Sequence, residues 1–89
     1  MQRSTGNRKT TVRTKELNLA TGVCIKTSRI DCDQLQEQVA GVLGWSRDVI
    51  SDVEKGRRLV TVAELIVLAE AMGENPEVLF RKILHWKPR

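Results

Sequence analysis

Apolar side chains recur at helical spacing through the C-terminal two thirds of the chain. The first stripe has members at i, i+4, i+7 and i+8, which are Leu35, Val39, Val42 and Leu43. This spacing places all four on one side of an α-helix. Asp33 can cap the start of such a helix, and Gly44 can end it. The pattern therefore predicts a helix from Asp33 to Leu43.

A second short helix is predicted directly after the first. Ser46 can cap its start and Gly56 can end it, and its inward side chains are Val49, Ile50 and Val53. Only Gly44-Trp45-Ser46 separates the two helices. Two short helices joined by a turn with glycine cross closely when the first carries small side chains, here Ala40 and Gly41. The second helix is then expected on the surface.

Two further helices follow, and an earlier one is less clearly defined. Thr61-Val62-Ala63-Glu64 is a capping box that opens a strongly apolar helix ending at Gly73, expected to be the buried centre of the domain. Asn75 and Pro76 open the last helix, whose apolar stripe is Leu79, Phe80, Ile83 and Leu84. One helix is expected somewhere within residues 17–31. No alternating run indicates a strand, so the predicted fold class is all-α.

Positive charge is concentrated near the N-terminus. Residues 1–30 hold seven Lys or Arg and one acid, a net charge of +6, whereas residues 31–89 hold eight against ten, a net −2. Residues 1–14 contain little that could form a core, so residues 1–16 are interpreted as a flexible basic arm. The 89 residues leave room for one domain, predicted over residues 17–86. Such an arm can contact phosphates or remain a solvated tail.

The residues that support enzyme or metal chemistry are nearly missing from the sequence. One histidine, His85, and two cysteines, Cys24 and Cys32, form no catalytic constellation and no zinc-ligand spacing, so no catalytic residue, metal or cofactor is expected. His85 is interpreted as a solvated residue at a helix end, and the thiols as small hydrophobes. No apolar run suits a membrane span or export signal, which predicts a cytoplasmic protein with reduced thiols. The 3% aromatic content disfavours single-strand binding by base stacking.

The stretch from Gln34 to Leu84 resembles the Cro/repressor, or XRE-like, class of helix-turn-helix transcriptional regulators. The matching features are Gln36, Val39-Ala40, Leu43-Gly44, Ser46-Arg47, Ile50-Ser51, Glu54-Lys55-Gly56-Arg57-Arg58, Ala69-Glu70-Ala71-Met72-Gly73 and Asn75-Pro76. The resemblance implies a compact bundle of four or five helices of the lambda-repressor-like type. It also implies a bacterial or phage-encoded, non-enzymatic protein that binds a palindromic operator in double-stranded DNA, with a repressor as the expected role.

The resemblance assigns DNA contacts residue by residue. The positions that match base-contacting residues are Arg47, Asp48, Ser51 and Asp52. The positions that match phosphate-contacting residues are Gln36, Ser46, Lys55, Arg57 and Arg58. Gln36 would also brace the first recognition residue. Glu54 matches an acid with a structural role, for which Arg57 or Arg58 is the expected partner.

Two features depart from the family pattern. The first helix has only a loose match in Ile25, Lys26 and Arg29, and Leu35 stands where a capping Ser or Thr is usual. Asp48 and Asp52 place two acids four residues apart on the side meant for DNA. Either they accept hydrogen bonds from cytosine N4 or Arg47 and Lys55 neutralise them. The first is preferred for Asp48 and the second for Asp52.

The sequence also suggests a partner subunit and two alternative functions. Trp86, just beyond the apolar residues of the last helix, suggests a surface covered by a second subunit, so a homodimer through residues 79–86 is predicted. Trp45 is expected to cover the edge of the core. Two alternatives to a regulator stay open: an antitoxin that also binds a partner protein, and a protein-interaction module that uses its acidic recognition side.

Overall fold

Five α-helices follow one another along residues 8–88, the part of the chain that the computed structural model describes. Their bounds are α1 Arg8–Asp31, α2 Gln36–Val42, α3 Arg47–Glu54, α4 Val62–Ala71 and α5 Pro76–His85. No strand occurs within these residues. The predicted all-α fold class, a compact bundle of four or five helices, is confirmed.

Most of the predicted helix starts and stops are confirmed by hydrogen bonds or backbone angles. The Thr61 hydroxyl accepts from the Glu64 backbone N–H, and the Glu64 carboxylate accepts from the Thr61 N–H, which is the predicted capping box. The Asn75 side chain accepts from the Glu77 N–H. The chain turns away from α2, α3 and α4 at glycines in the left-handed region, where a Cβ is disfavoured: Gly44, Gly56 and Gly73.

The predicted cap of α2 is wrong, because Asp33 ends α1 instead. Asp33 has a positive φ of 60°, and the N–H groups of residues 32–34 bond back to carbonyls of α1. A short polar side chain tolerates this left-handed conformation, which suits a helix end. α2 therefore begins three residues later, at Gln36. Its first turn is closed by the Gln38 Oε1, which accepts from the Leu35 N–H at 2.7 Å.

The prediction of a first helix within residues 17–31 places its start too late. Residues 8–16, expected to belong to a flexible arm, form the first turns of α1, while residues 1–7 lie outside the described residues. Once the packed part of a helix is formed, each added turn needs no new nucleus. A hydrogen bond from the Thr14 hydroxyl to the Thr10 carbonyl, 2.8 Å long, accompanies these exposed turns. α1 thus extends beyond the bundle as a basic helix.

The core lies where α1 and α3 meet α2, α4 and α5. Its buried apolar side chains are Ala20, Cys24, Ile25, Val39, Ala40, Ile50, Val53, Leu68, Ala69, Met72, Leu79 and Ile83. α1 packs against both α3 and α5. The backbones of α1 and α3 approach closely at Gly22, where an added Cβ would lie 2.5 Å from the Val53 carbonyl oxygen. Only glycine permits this contact.

The prediction that α4 forms the buried centre is wrong. α4 packs on α2 and α5 through Leu68 and Ala69, whereas Val62 is 75% exposed and Ile66 is 41% exposed. A helix with one packed side leaves its opposite side in solvent, however apolar that side is. The exposed side of α4 is therefore an apolar surface that this chain alone does not cover.

The two cysteines and the histidine of the sequence do not form a reactive site among the described residues. Cys24 is buried and Cys32 is half-buried, and both are free thiols, as expected. Burial raises the pKa of the Cys24 thiol. His85 is exposed at the last residue of α5. None of the described helices is both long enough and apolar enough to cross a bilayer.

The Gly22 contact generates a prediction with an internal control. Gly22→Ala is expected to destabilise the protein by about 1 to 3 kcal/mol, because the methyl group would overlap backbone carbonyls of α3. Gly41→Ala, in α2 with open space around its Cβ position, is expected to stabilise it by about 0.5 to 1 kcal/mol. Urea unfolding of both variants measures these changes. A Gly22→Ala variant as stable as the parent would contradict the close approach.

Candidate nucleic-acid interface

α2 and α3 are held at a tight turn by backbone hydrogen bonds and by one small side chain. The Trp45 N–H donates to the Ala40 carbonyl at 2.9 Å, and Gly44 has a φ of 70°. Ala40 is fully buried, whereas Gly41 faces open space. The small residue that the crossing requires is therefore Ala40 alone, and the expected role of Gly41 is not found. The two helices form the predicted helix-turn-helix.

α3 has a buried side and an exposed side. Ile50 and Val53 are buried in the core. On the other side, Arg47, Asp48 and Lys55 are exposed, and Ser51 and Asp52 are half-buried. The outward surface of α3 thus carries all four predicted base-contacting residues. Lys55, a predicted phosphate contact, lies at the C-terminal end of the same surface. This surface carries both hydrogen-bond donors and acceptors.

The end of α3 is fixed by a buried carboxylate, that of Glu54. The Glu54 side chain is only 3% exposed. The Arg29 guanidinium of α1 donates Nε to Oε2 at 2.6 Å and a terminal nitrogen to Oε1 at 3.1 Å. The structural role predicted for Glu54 is confirmed. The predicted partner is wrong, because neither Arg57 nor Arg58 but Arg29 forms this ion pair.

The Glu54 carboxylate also joins α2 to the same network. Gln36, the first residue of α2, donates its Nε2 to the Glu54 Oε1 at 2.9 Å. Arg29 donates a further hydrogen bond to the Gln34 carbonyl at 2.8 Å, in the segment that leads into α2. The bond with Glu54 raises the pKa of Arg29 above its ordinary value. One carboxylate therefore links three helices at the end of the predicted recognition helix.

Arg58 links the turn and α4. Its guanidinium lies over the Trp45 ring, 4.4 Å from the ring centroid, and forms an ion pair with Glu64 at 3.2 Å. The hydrogen bond from Arg58, with that from the Thr61 N–H, lowers the pKa of the Glu64 carboxyl. Trp45 is half-buried against the core, as predicted. Arg58 has a structural role here in addition to the phosphate contact predicted for it.

The loop after α3 is folded back on the end of that helix. The backbone N–H groups of Arg57 and Arg58 both donate to the Asp52 carbonyl, at 2.8 and 3.2 Å. The side chains of Lys55 and Arg57 are exposed, and neither forms an ion pair within residues 8–88. Ser46 stands at the N-cap of α3, and its hydroxyl makes no capping hydrogen bond there. Three of the predicted phosphate contacts are thus free to bind a ligand.

Of the two aspartates of α3, Asp52 differs from the expectation, and the contact expected of Asp48 stays a prediction. Neither Asp48 nor Asp52 forms an ion pair with a described residue, so the expected neutralisation of Asp52 by Arg47 and Lys55 is not found. Both carboxylates remain able to accept hydrogen bonds from a partner.

Arg29 is the residue of this site that the sequence did not reveal. Its segment matches the family pattern only loosely, and the acid it binds lies 25 residues away. A cation near a position predicted to hold a buried acid is the only sequence signal for such a pair. Arg57 and Arg58 meet that condition and Arg29 does not, so only the packing of α1 on α3 selects Arg29.

The ion pair generates the second prediction. Arg29→Ala is expected to destabilise the protein by about 3 to 5 kcal/mol, because it leaves a buried carboxylate without its cation. Arg57→Ala, which removes an exposed cation, is expected to change stability by less than about 0.5 kcal/mol. The free energies of unfolding in urea provide the comparison. Equal stability of the two variants would contradict the anchoring role of Arg29.

Comparisons with known proteins agree with this geometry. The model of the helix-turn-helix domain family matches residues 21–81. The restriction-modification controller protein C.AhdI from Aeromonas hydrophila is 27% identical, with a TM-score of 0.68 over 74% of this chain and 96% of that chain. An XRE-family like protein from Pseudomonas syringae pv. tomato is 20% identical, with a TM-score of 0.73 over 93% of this chain and 100% of that chain. No curated protein matches the sequence.

The family match covers more than half of the chain and includes all of α2, α3 and α4. The turn between α2 and α3, the buried inner side of α3 and its exposed polar outer side are the features that such a domain uses to bind DNA. The chain belongs to the helix-turn-helix domain family and is a DNA-binding transcriptional regulator with an XRE-like fold.

Proposed function

We propose that the protein is a sequence-specific repressor that inserts the helix of residues 46–55 into the major groove of operator DNA. The observation that carries the proposal is the two-sided character of α3. Its apolar side is buried and its last residue is held by Arg29, while Arg47 and Asp48 project at its exposed N-terminal end. A rigid helix with polar groups at its N-terminal end is what major-groove reading requires.

The base contacts follow from the chemistry of the exposed side. Arg47 binds guanine through its O6 and N7, which is worth about 1 to 3 kcal/mol of discrimination. Asp48 accepts a hydrogen bond from cytosine N4, as its unpaired carboxylate allows. Ser51 and Asp52 lie one turn further along α3 and contact the following bases.

The proposed phosphate contacts lie near both ends of α3. Ser46 stands at the N-cap of α3, where the helix N-terminus favours a phosphate, and Gln36 stands at the start of α2 with its amide nitrogen bound to Glu54. Lys55 and Arg57 lie at the other end, with Arg58 close by. Because Arg58 also holds Trp45 and Glu64, its removal would disturb the fold together with the contact. Arg57 is the better residue for testing phosphate binding.

A second copy of this chain covers the apolar groove between α4 and α5. The groove encloses about 390 Å³ and is lined by Val62, Leu65, Ile66, Pro76, Glu77, Phe80, Arg81 and Leu84. It includes the two exposed apolar residues of the predicted dimer segment 79–86, Phe80 and Leu84, whereas Leu79 and Ile83 of that segment face the core. Glu77 and Arg81 border the groove with opposite charges, so a two-fold contact would pair each with the other residue of the second copy.

Such a dimer presents two copies of α3 to one duplex, and a palindromic operator with half-sites about 34 Å apart fits this symmetry. The protein acts without a cofactor or catalytic step, and in the cytoplasm. The similarity to a restriction-modification controller protein supports a role in controlling expression.

Selection of bound duplexes from a random pool tests this function. The parent protein is expected to enrich a palindrome. Arg47→Ala is expected to relax the preference at one base pair in each half-site. Arg57→Ala is expected to keep the preference and to reduce the slope of log K against log salt by about 0.9. No enrichment, even at low salt, would contradict the proposal and favour a protein-interaction module.

Analytical ultracentrifugation tests the dimer. The parent is expected to sediment with about twice the mass of the 10.1 kDa chain at micromolar concentration. Phe80→Lys, within the groove, is expected to give a monomer. Val78→Lys, at an exposed α5 residue that lines a different cavity, is expected to remain dimeric. A parent that is monomeric both free and on operator DNA would contradict this assembly.

A further inference from the structure

One side of α1 packs against the end of α3, and the basic N-terminal extension of α1 prolongs that side. Five residues of α1 are spaced alternately four and three apart: Lys15, Leu19, Gly22, Lys26 and Arg29. This spacing keeps them within one narrow stripe of the helix, because seven residues make nearly two turns. They are called here the α1 stripe.

Three members of the α1 stripe contact the end of α3 or the loop after it. Arg29 binds the Glu54 carboxylate, and Gly22 meets the backbone carbonyls of Val53 and Glu54. Leu19 approaches Gly56, the residue between Lys55 and Arg57, with 3.7 Å separating its side chain from the position of an added Cβ. The orientation of the stripe toward α3 is therefore fixed at three points.

The two remaining members, Lys15 and Lys26, are exposed cations on the same stripe. Neither forms an ion pair with any residue of the described part. Lys15 lies four residues before Leu19, about 6 Å along the helix axis. It is therefore near the loop that presents Lys55 and Arg57. Lys26 lies between Gly22 and Arg29 on the stripe, both of which contact Glu54.

A second cation two residues away provides a contrast. Arg13 is also exposed, but two residues of helix place it about 160° around the axis from Lys15. The family match begins at residue 21, so Lys15 and Arg13 both lie outside the part of the chain that it covers. Their difference in orientation is a property of the extended α1 of this chain.

We infer that Lys15 and Lys26 bind backbone phosphates of the duplex, so that the α1 stripe widens the DNA footprint past the end of α3. The inference rests on the proposed function, since it places the duplex against the outward side of α3. Lys15 and Lys26 lie about 16 Å apart along the helix axis, and a duplex with one charge per about 1.7 Å of its axis offers phosphates at such a separation. The extension of α1 thus acts as a rigid phosphate clamp, with no contribution to base preference.

The salt dependence of operator binding by the full chain tests the inference. Lys15→Gln and Lys26→Gln are each expected to make the slope of log K against log salt shallower by about 0.9. Arg13→Gln, the control with the same loss of charge on the same helix, is expected to leave the slope unchanged. None of the three variants is expected to change the selected sequence, because phosphates carry no base information. Circular dichroism confirms that each variant remains helical.

The possible outcomes separate this inference from the proposed function. A parent protein that selects no sequence refutes the proposed function itself. A parent that selects an operator while Lys15→Gln and Lys26→Gln keep its full salt slope refutes the clamp alone. Equal reductions of the salt slope by Lys15→Gln and Arg13→Gln also refute the clamp. Such a result would depend on the overall charge and not on the side of α1 that faces α3.

Discussion

One buried carboxylate determines where the recognition helix lies. Glu54 is the last residue of α3, and its oxygens accept hydrogen bonds from Arg29 of α1 and Gln36 of α2. A carboxylate in this position would be unfavourable without a cation, so α3 can pack only where Arg29 reaches it. The close backbone approach at Gly22 fixes the same junction from the other side. The burial of Ile50 and Val53 sets which side of α3 faces outward, and the Glu54 anchor holds the C-terminal end of the helix in that position.

The remaining parts of the interface depend on this junction. The loop after α3 folds back onto the Asp52 carbonyl, which holds Arg57 beside the helix end. Arg58 then reaches Trp45 in the turn and Glu64 in α4. The two ends of α3 are therefore tied to different helices, and the helix has little freedom to rotate. A rigid arrangement of this kind lowers the ordering entropy that binding to DNA would otherwise require.

Local signals along the chain predicted most of the fold. The capping box at Thr61, the Asn75-Pro76 start and the glycines after α2, α3 and α4 are all short-range patterns, and they are confirmed. Asp33 could cap one helix or end another, and only its left-handed backbone decides between them. The sequence does not reveal the start of α1, because exposed polar residues can extend a helix without any apolar periodicity.

The site was predicted less completely, since its key contact is long-range. Exposure of Arg47, Asp48 and Lys55 follows from helical periodicity, and the structure agrees. The partner of Glu54 depends on how α1 packs on α3, which no local pattern encodes. The apolar residues of α4 predict its helix correctly but its buried position wrongly. Apolar residues indicate a covered surface, but they do not show whether the same chain or a second copy covers it.

The central claim is that the outward side of α3, anchored by Glu54, is the surface that meets the duplex. Backbone amide chemical shifts measured by NMR during titration with the selected operator test it most directly. The largest changes are predicted for the amides of residues 46–52 and 55–58, while those of Ile66 and Leu68 within α4 change little. Changes concentrated in α4 and α5, with the α3 amides unaffected, would contradict the account.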